Sequence, residues 1–96
     1  MAKFGITKNT TDVLEEIASK HKQLRKKQGL SQQELANRSG VSLGSLKRFE
    51  TTGQISFESL LKLAQILNCL ENFDALFKPI DSTEDIEKLF SNKTRS

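Results

Sequence analysis

The chain has a single cysteine among its 96 residues, so no disulfide bond can form within it. Proline occurs once and glycine five times, which leaves little material for long loops or low-complexity segments. No apolar run approaches the ~20 residues that a bilayer-spanning helix requires. Residues 1–11 lack the apolar stretch of a signal peptide. The sequence therefore predicts a cytoplasmic protein with no membrane partner.

The residues that usually carry catalysis are also scarce. His21 is the only histidine and has no cysteine nearby in sequence, so a metal site is not expected. Cys69 is expected to fill space at the end of a helix rather than to react. No glycine-rich phosphate loop and no nucleophile motif occurs. We therefore expect a protein that is not an enzyme and that needs no cofactor.

The positive charge is concentrated in the first half of the chain, although the net charge is only +3. Residues 1–30 hold seven Lys or Arg against three acidic residues, a local charge of +4. Residues 31–53 contribute +1, residues 54–79 contribute −1 and residues 80–96 contribute −1. A basic face directed at phosphates and an ordinary solvated helix face both fit this distribution.

Apolar periodicity predicts five helices and no strand. The predicted helices cover residues 12–28, 32–39, 43–52, 57–68 and 71–77. Residues 83–91 carry the pattern of a sixth helix, with Ile86, Leu89 and Phe90 on its apolar side.

Helix boundaries are marked by capping residues and glycines. The predicted N-caps are Thr11, Ser31, Ser42 and Ser56, and Ser31 with Glu34 has the spacing of a capping box. The predicted stops are Gly29, Gly40 and Gly53. The expected core positions are Val13, Leu14, Ile17 and Leu24 on the first helix, Leu35 and Ala36 on the second, Leu46 and Phe49 on the third, and Phe57, Leu60, Leu61, Ala64 and Leu67 on the fourth.

The most informative segment runs from Gln32 to Phe49, where two short helices are joined by a turn at Gly40. Ala36 must be small because the two helices cross closely there. Leu35, Val41, Leu46 and Phe49 are expected to hold the pair together. The residues of the third helix that remain outward are then Leu43, Gly44, Ser45, Lys47 and Arg48. Such a surface can enter a major groove.

This pattern resembles the lambda-repressor-like family, often called the Xre family, over about Leu14 to Leu70. The resemblance rests on the runs L-S-Q-Q-E-L-A (30–36), G-V-S (40–42), S-L-K-R-F-E (45–50) and S-L-L-K-L-A-Q-I-L (59–67). It implies an all-α fold, a compact five-helix lambda-repressor-like DNA-binding domain, with an additional C-terminal helix as an option. It also implies a transcriptional regulator that binds double-stranded DNA, commonly as a dimer on a palindromic operator.

The resemblance implies DNA contacts that the side chains support chemically. Arg48 is the best candidate for a bidentate contact with guanine, and Lys47 suits a base or a phosphate. Ser45 can bond to either, whereas Leu43 can offer only apolar contact, for example to a thymine methyl. The remaining predicted DNA-binding residues lie at helix starts and suit phosphates: Gln32, Ser42 and Ser56.

One departure from the family pattern concerns Leu43 and Gly44. Family members commonly carry polar residues such as Gln or Arg at these first reading positions. A close approach of the backbone to DNA would explain Gly44, and an unselected surface glycine is the alternative. The same pair is the only hint of an adaptor that kept the fold and lost DNA binding.

The segment L-E-N-F-D-A-L-F-K-P, Leu70 to Pro79, resembles the segment that follows the domain in HipB-type antitoxins. Those proteins dimerise, repress their own promoter and bind a kinase-like toxin protein. Phe73, Leu76 and Phe77 form an apolar trio expected to lie in a homodimer interface, with packing on the core as the alternative.

The sequence therefore divides into an N-terminal arm (1–11), a helix-turn-helix domain (12–79) and a C-terminal extension (80–96). A dimeric repressor that reads DNA with helix 43–52 is the leading hypothesis. An antitoxin whose main role is binding a toxin, with autoregulatory DNA binding, is the alternative.

Overall fold

A computed structural model describes residues 8–79, and these residues form four α-helices followed by one 3₁₀ helix, without any strand. The α-helices are α1 (Thr10–Lys27), α2 (Gln32–Ser39), α3 (Leu43–Thr52) and α4 (Phe57–Ile66), and the 3₁₀ helix is Leu70–Ala75. The predicted all-α fold of five compactly packed helices is confirmed. The predicted sixth helix at 83–91 lies outside the described residues.

The first helix begins two residues earlier than predicted because Asn9, not Thr11, is its N-cap. The Asn9 side chain accepts a hydrogen bond from the Asp12 N–H at 2.7 Å. The Asp12 carboxylate in turn accepts one from the Asn9 N–H at 3.4 Å, which completes a capping box. Thr11 is thereby placed inside the first turn.

The other predicted caps are confirmed. The Ser31 hydroxyl accepts from the Glu34 N–H, and Ser42 and Ser56 cap α3 and α4 in the same manner. Gly40 and Gly53 end α2 and α3 in the left-handed region, at φ 81° and 83°. Glycine adopts this conformation without the penalty of a Cβ atom, so both helices end sharply.

The core lies where α2, α3 and α4 meet beneath α1. Its largest fully buried side chains are Leu35, Leu46, Phe49, Leu63 and Leu67. The predicted Ala36, Val41 and Ala64 are buried as well. Leu63 was not in the predicted apolar stripe of α4, whereas Phe57, which was, has 57% of its surface exposed. The true stripe is therefore shifted toward Leu60, Leu63 and Leu67.

The inward face of α1 differs from the prediction. Val13 and Ile17 are 43% and 39% exposed, whereas the buried residues of α1 are Ala18, His21 and Arg25. Two polar residues occupy the inner face because a carboxylate on α3 pairs with both. The helix is thereby rotated so that Val13 and Ile17 border an apolar groove of about 210 Å³ shared with α4.

The fifth helix, predicted at 71–77, is the 3₁₀ helix Leu70–Ala75. Helix α4 stops at Ile66, and Asn68 follows with a left-handed φ of 61°, which reverses the chain. The 3₁₀ helix then packs on α4, and the ring of Phe73 meets that of Phe57 edge to face, with their centroids 5.9 Å apart.

Within residues 8–79 no helix has both the length and the hydropathy to cross a membrane.

Candidate nucleic-acid interface

The outward face of α3 gathers most of the predicted reading residues. Leu46 and Phe49 turn into the core. At about 100° of rotation per residue, Gly44, Lys47 and Arg48 lie on the opposite side of the helix and Ser45 lies on its flank, and all four are exposed. Leu43 is different, because it is half-buried and packs against the core, which leaves only part of its side chain for a ligand.

Two hydroxyl groups meet at the start of α3. The Ser42 Oγ accepts the Ser45 N–H at 3.1 Å and donates to the Ser45 Oγ at 2.9 Å. Since the Ser45 oxygen already accepts, its own hydrogen can point outward to an acceptor such as a phosphate or a base edge. The structure thus places the predicted Ser42 and Ser45 together.

Gln32 begins α2, and its side chain is directed inward. Its Nε2 donates a hydrogen bond to Glu50 Oε1 at 3.0 Å, and the residue is half-buried. The predicted phosphate contact at this position therefore depends on the second amide hydrogen and on the main-chain N–H groups of the first turn. The contact itself remains a prediction.

Glu50 is the centre of a buried polar cluster on the inner side of α3. Arg25 donates from Nε to Oε2 and from Nη2 to Oε1, both at 2.9 Å, and His21 Nδ1 lies 2.9 Å from Oε2. Arg25 Nη1 also donates to the Leu30 carbonyl at 2.8 Å. This cluster links α1, α2 and α3, so it fixes the orientation of α3 relative to the other helices.

Sequence reasoning missed this cluster. It considered His21 only as a possible metal ligand and assigned no core position to His21 or Arg25. The available signal was the register of α1: His21 and Arg25 are four residues apart and share a face with Ala18. Of the three basic residues in the last turn of α1, Arg25 is buried, and Lys26 and Lys27 are exposed.

The cluster shifts the ionisation of two of its members. Burial raises the pKa of Glu50, but the hydrogen bonds from Arg25 and Gln32 and the charges of Arg25 and His21 outweigh burial and bring its pKa below the ordinary value. Burial also lowers the pKa of His21, more than the neighbouring Glu50 raises it. A carboxylate can only accept, so the neutral imidazole carries its proton on Nδ1. Its Nε2 is buried and has no hydrogen-bond partner among residues 8–79.

A shallow depression of about 310 Å³ lies between α3 and the start of α4. Its lining consists of Ser45, Arg48, Gln54, Ile55, Ser56 and Ser59. The structure thus brings three predicted contact residues, Ser45, Arg48 and Ser56, to one place. Gln54 was not predicted, although it is a polar residue between the Gly53 stop and the Ser56 cap. Arg48 Nη2 donates to Gln54 Oε1 at 2.5 Å.

One acidic residue stands beside this basic surface. Glu58 lies in the first turn of α4, with 82% of its side chain exposed, and pairs with Lys62 at 3.8 Å. The negative charge is favourable at a helix N-terminus but repels an incoming phosphate.

The three residues predicted for a dimer interface differ in their exposure. Phe73 is half-buried against Phe57, while Leu76 and Phe77 are 48% and 97% exposed. Phe77 has a left-handed φ of 61°. Their role between two subunits stays a prediction.

Cys69 packs against the core as expected, and burial, together with Glu71, raises the pKa of its thiol. A raised pKa disfavours the reactive thiolate. Over residues 8–79 no group of three or more His, Cys, Asp or Glu side chains is arranged to hold a metal ion.

Comparison with known proteins gives one match. A family model described as helix-turn-helix matches residues 22–71, from the second half of α1 to the start of the 3₁₀ helix and a little over half of the chain. No curated protein and no solved structure matches.

Proposed function

The chain belongs to the helix-turn-helix family of DNA-binding transcription regulators, and from this premise we propose that it is a dimeric repressor. In this proposal α3 enters the major groove of a palindromic operator. The observation that carries the proposal is the surface of α3, where Gly44, Ser45, Lys47 and Arg48 are exposed while Leu46 and Phe49 are buried. This is the geometry of a recognition helix.

The proposed contacts divide into base reading and phosphate positioning. Arg48 and Lys47 have long cationic side chains on the groove-facing side, and Arg48 suits the O6 and N7 acceptors of guanine. Ser45 offers a hydroxyl hydrogen, and the accessible part of Leu43 suits a thymine methyl. The starts of three helices, at Gln32, Ser42 and Ser56, would hold phosphates on either side of the groove.

The proposed dimer rests on symmetry and on exposed apolar surface. A single recognition helix reads few base pairs, and a two-fold dimer doubles the site to two half-sites about one helical turn apart. Leu76 and Phe77 are exposed large apolar residues at the end of the described chain. Burying them against a second subunit would remove this surface from water.

A toxin-binding antitoxin is the second candidate. It is supported by the resemblance of residues 70–79 to HipB-type antitoxins and by the exposure of Phe77, which a protein partner would cover. Autoregulatory DNA binding through α3 is part of this alternative as well.

The cytoplasmic location and the absence of enzyme activity stay predictions, as does the division into an arm, a domain and an extension.

The test is a selection of DNA by the purified protein. Fragmented DNA of the source genome is incubated with the protein near physiological salt, and the retained fragments are sequenced. Arg48→Ala is run in parallel, with Lys20→Ala as the matched control, because Lys20 is an exposed cation on the outer side of α1. We expect a few enriched inverted repeats that are lost with Arg48→Ala and kept with Lys20→Ala.

Other results would contradict the proposal. Uniform retention that falls steeply with salt in both variants would mean phosphate binding without sequence reading. No retention at all would favour a protein-binding module. An enriched site in the protein's own promoter, beside a kinase-like gene, would favour the antitoxin alternative. If deletion of residues 80–96 then abolished binding of the toxin, the toxin-binding site would be assigned to that segment.

A further inference from the structure

We infer that Gln54 is a positioning residue that holds the Arg48 guanidinium for its contact with DNA, so that the two side chains act as one unit. The inference rests on the proposed function and adds a residue that the sequence did not indicate. Gln54 does not belong to α3, since it lies in the turn beyond Gly53. Its Oε1 nevertheless accepts a hydrogen bond from Arg48 Nη2 at 2.5 Å across the mouth of the depression between α3 and α4.

Gln54 is held in place by the end of α3. The Thr52 hydroxyl donates to the Arg48 carbonyl at 2.8 Å and accepts from the Gln54 N–H at 3.1 Å. Gly53 is locked as well, because a Cβ atom there would come within 2.7 Å of Leu14. The main chain of Gln54 is thus tied both to the residue it supports and, through Gly53, to α1.

The chemistry of Arg48 fixes the orientation of the Gln54 amide. A guanidinium has donors only, so the amide must present its oxygen to Arg48 and turn its Nε2 hydrogens away. A glutamine reads adenine by offering a donor and an acceptor together, and here Arg48 already occupies one of the two lone pairs of the acceptor. The pair therefore presents mostly donors, which fit acceptor-only groups of DNA: the guanine O6 and N7 edge, or a phosphate oxygen.

Gln54 carries no charge, so its hydrogen bond to Arg48 does not neutralise the guanidinium. No acidic side chain of residues 8–79 forms an ion pair with Arg48. Gln54 can restrict the long arginine side chain, which reduces the entropy lost on binding, and still leave its full positive charge for DNA. A glutamate at the same position would also restrict Arg48 but would neutralise it.

A double-mutant cycle tests this role on the full chain. The probe is a short duplex that carries the most enriched repeat from the genomic selection, and affinity is measured by fluorescence anisotropy. We expect Gln54→Ala to weaken binding about 3- to 10-fold, as for coupled neighbours. In an Arg48→Ala background the same change should have no effect. Gln54→Glu should weaken binding at least as much as Gln54→Ala, and thermal unfolding should stay unchanged in all these variants.

Two further measurements identify the DNA group. In a panel of duplexes with single base-pair changes, a loss of discrimination at one G·C pair would assign the unit to guanine. An equal loss of affinity for every duplex in the panel would assign the unit to a phosphate, provided that the slope of log affinity against log salt also falls by about one. Either pattern supports the positioning role.

The role of Gln54 is overturned if Gln54→Ala binds like the unaltered protein, or if it weakens binding equally in the presence and absence of Arg48. It is also overturned if Arg48→Ala has no effect. If the unaltered protein recovers no specific duplex, the repressor proposal itself fails, so the two failures are distinct.

Discussion

The Glu50 carboxylate accepts two hydrogen bonds from the guanidinium of Arg25, each 2.9 Å long, where both side chains are almost fully buried. The contact joins α1 to the second half of α3. A bidentate pair of this kind is strong and has a defined geometry. It therefore determines how α3 is presented, although neither residue lies on the exposed face of α3.

Removing the carboxylate should destabilise the fold strongly. Glu50→Ala leaves the Arg25 charge buried without its partner, so we expect the free energy of unfolding to fall by about 3–5 kcal/mol. The measurement is urea denaturation followed by circular dichroism. Glu15→Ala is the matched control, because Glu15 is an exposed glutamate on α1 and should change stability by no more than about 0.5 kcal/mol. Equal effects of the two changes would show that the buried pair contributes nothing.

Stability should decrease as the pH falls, in two separate windows. The pKa of His21 is lowered in the folded protein, so the unfolded chain takes up its proton first, below about pH 6.5, and stability falls from there. The pKa of Glu50 is also lowered, so its contribution is complete above its ordinary pKa and is lost as the pH drops below about 4.3.

The upper window can be assigned because His21 is the only histidine of the chain. His21→Gln keeps a side chain that can donate to Glu50 but cannot titrate. We expect denaturation curves of this variant to show no loss of stability between about pH 7.5 and the onset of carboxylate protonation. An unchanged slope in that range would refute the assignment to His21.

Replacement by alanine should change the stability of the protein in opposite directions at two glycines, Gly53 and Gly44. Gly53 has φ 83°, and a Cβ atom would meet the Leu14 Cβ and carbonyl oxygen at 2.7 Å, so Gly53→Ala should lower stability by more than about 1 kcal/mol. Gly44 lies in α3, and a Cβ atom there meets nothing within 4 Å, so Gly44→Ala should raise stability by about 0.5–1 kcal/mol. Melting temperatures of the two variants would check both signs, and a stabilised Gly53→Ala would contradict the packing at Leu14.

The same Gly44→Ala variant examines why a glycine stands on the recognition face. Since the protein itself leaves room for a Cβ atom, any loss of DNA affinity must come from a clash with the DNA. We expect affinity for the selected operator to fall at least about tenfold while stability rises, if the backbone approaches the groove closely. Unchanged affinity would identify Gly44 as an ordinary surface residue.

Glu58 should oppose DNA binding. Glu58→Gln removes an exposed negative charge beside the predicted phosphate contact at Ser56, so operator affinity should rise about threefold at low salt, with a smaller gain at high salt. The measurement is anisotropy at two salt concentrations. Glu71→Gln, an exposed glutamate in the 3₁₀ helix, is the control and should change little. A larger gain for Glu71→Gln would place the interface elsewhere.

Local chemistry was readable from the sequence. Ser31, Ser42 and Ser56 cap helices because a short hydroxyl side chain satisfies the free N–H groups that follow it. Gly40 and Gly53 end helices because they accept a positive φ. Both effects act within a few residues, so the helix-turn-helix and its exposed face could be predicted without a structure.

The inward face of α1 could not be predicted in this manner. Apolar periodicity favoured Val13 and Ile17, but the structure buries His21 and Arg25. A buried charge is acceptable only when a partner is present, and the partner, Glu50, lies 25 residues beyond Arg25 and 29 beyond His21. No local pattern reports a partner at that distance.

The sequence by itself determined the boundaries of α2 and α3, the turn at Gly40 and most of the residues that α3 exposes, because caps, glycines and periodicity act over one or two turns. Only the tertiary structure decided that Gln32 turns inward to Glu50 and that Gln54 meets Arg48. Those contacts depend on how the helices and the turn after α3 are placed in space, and packing of the whole core sets that placement.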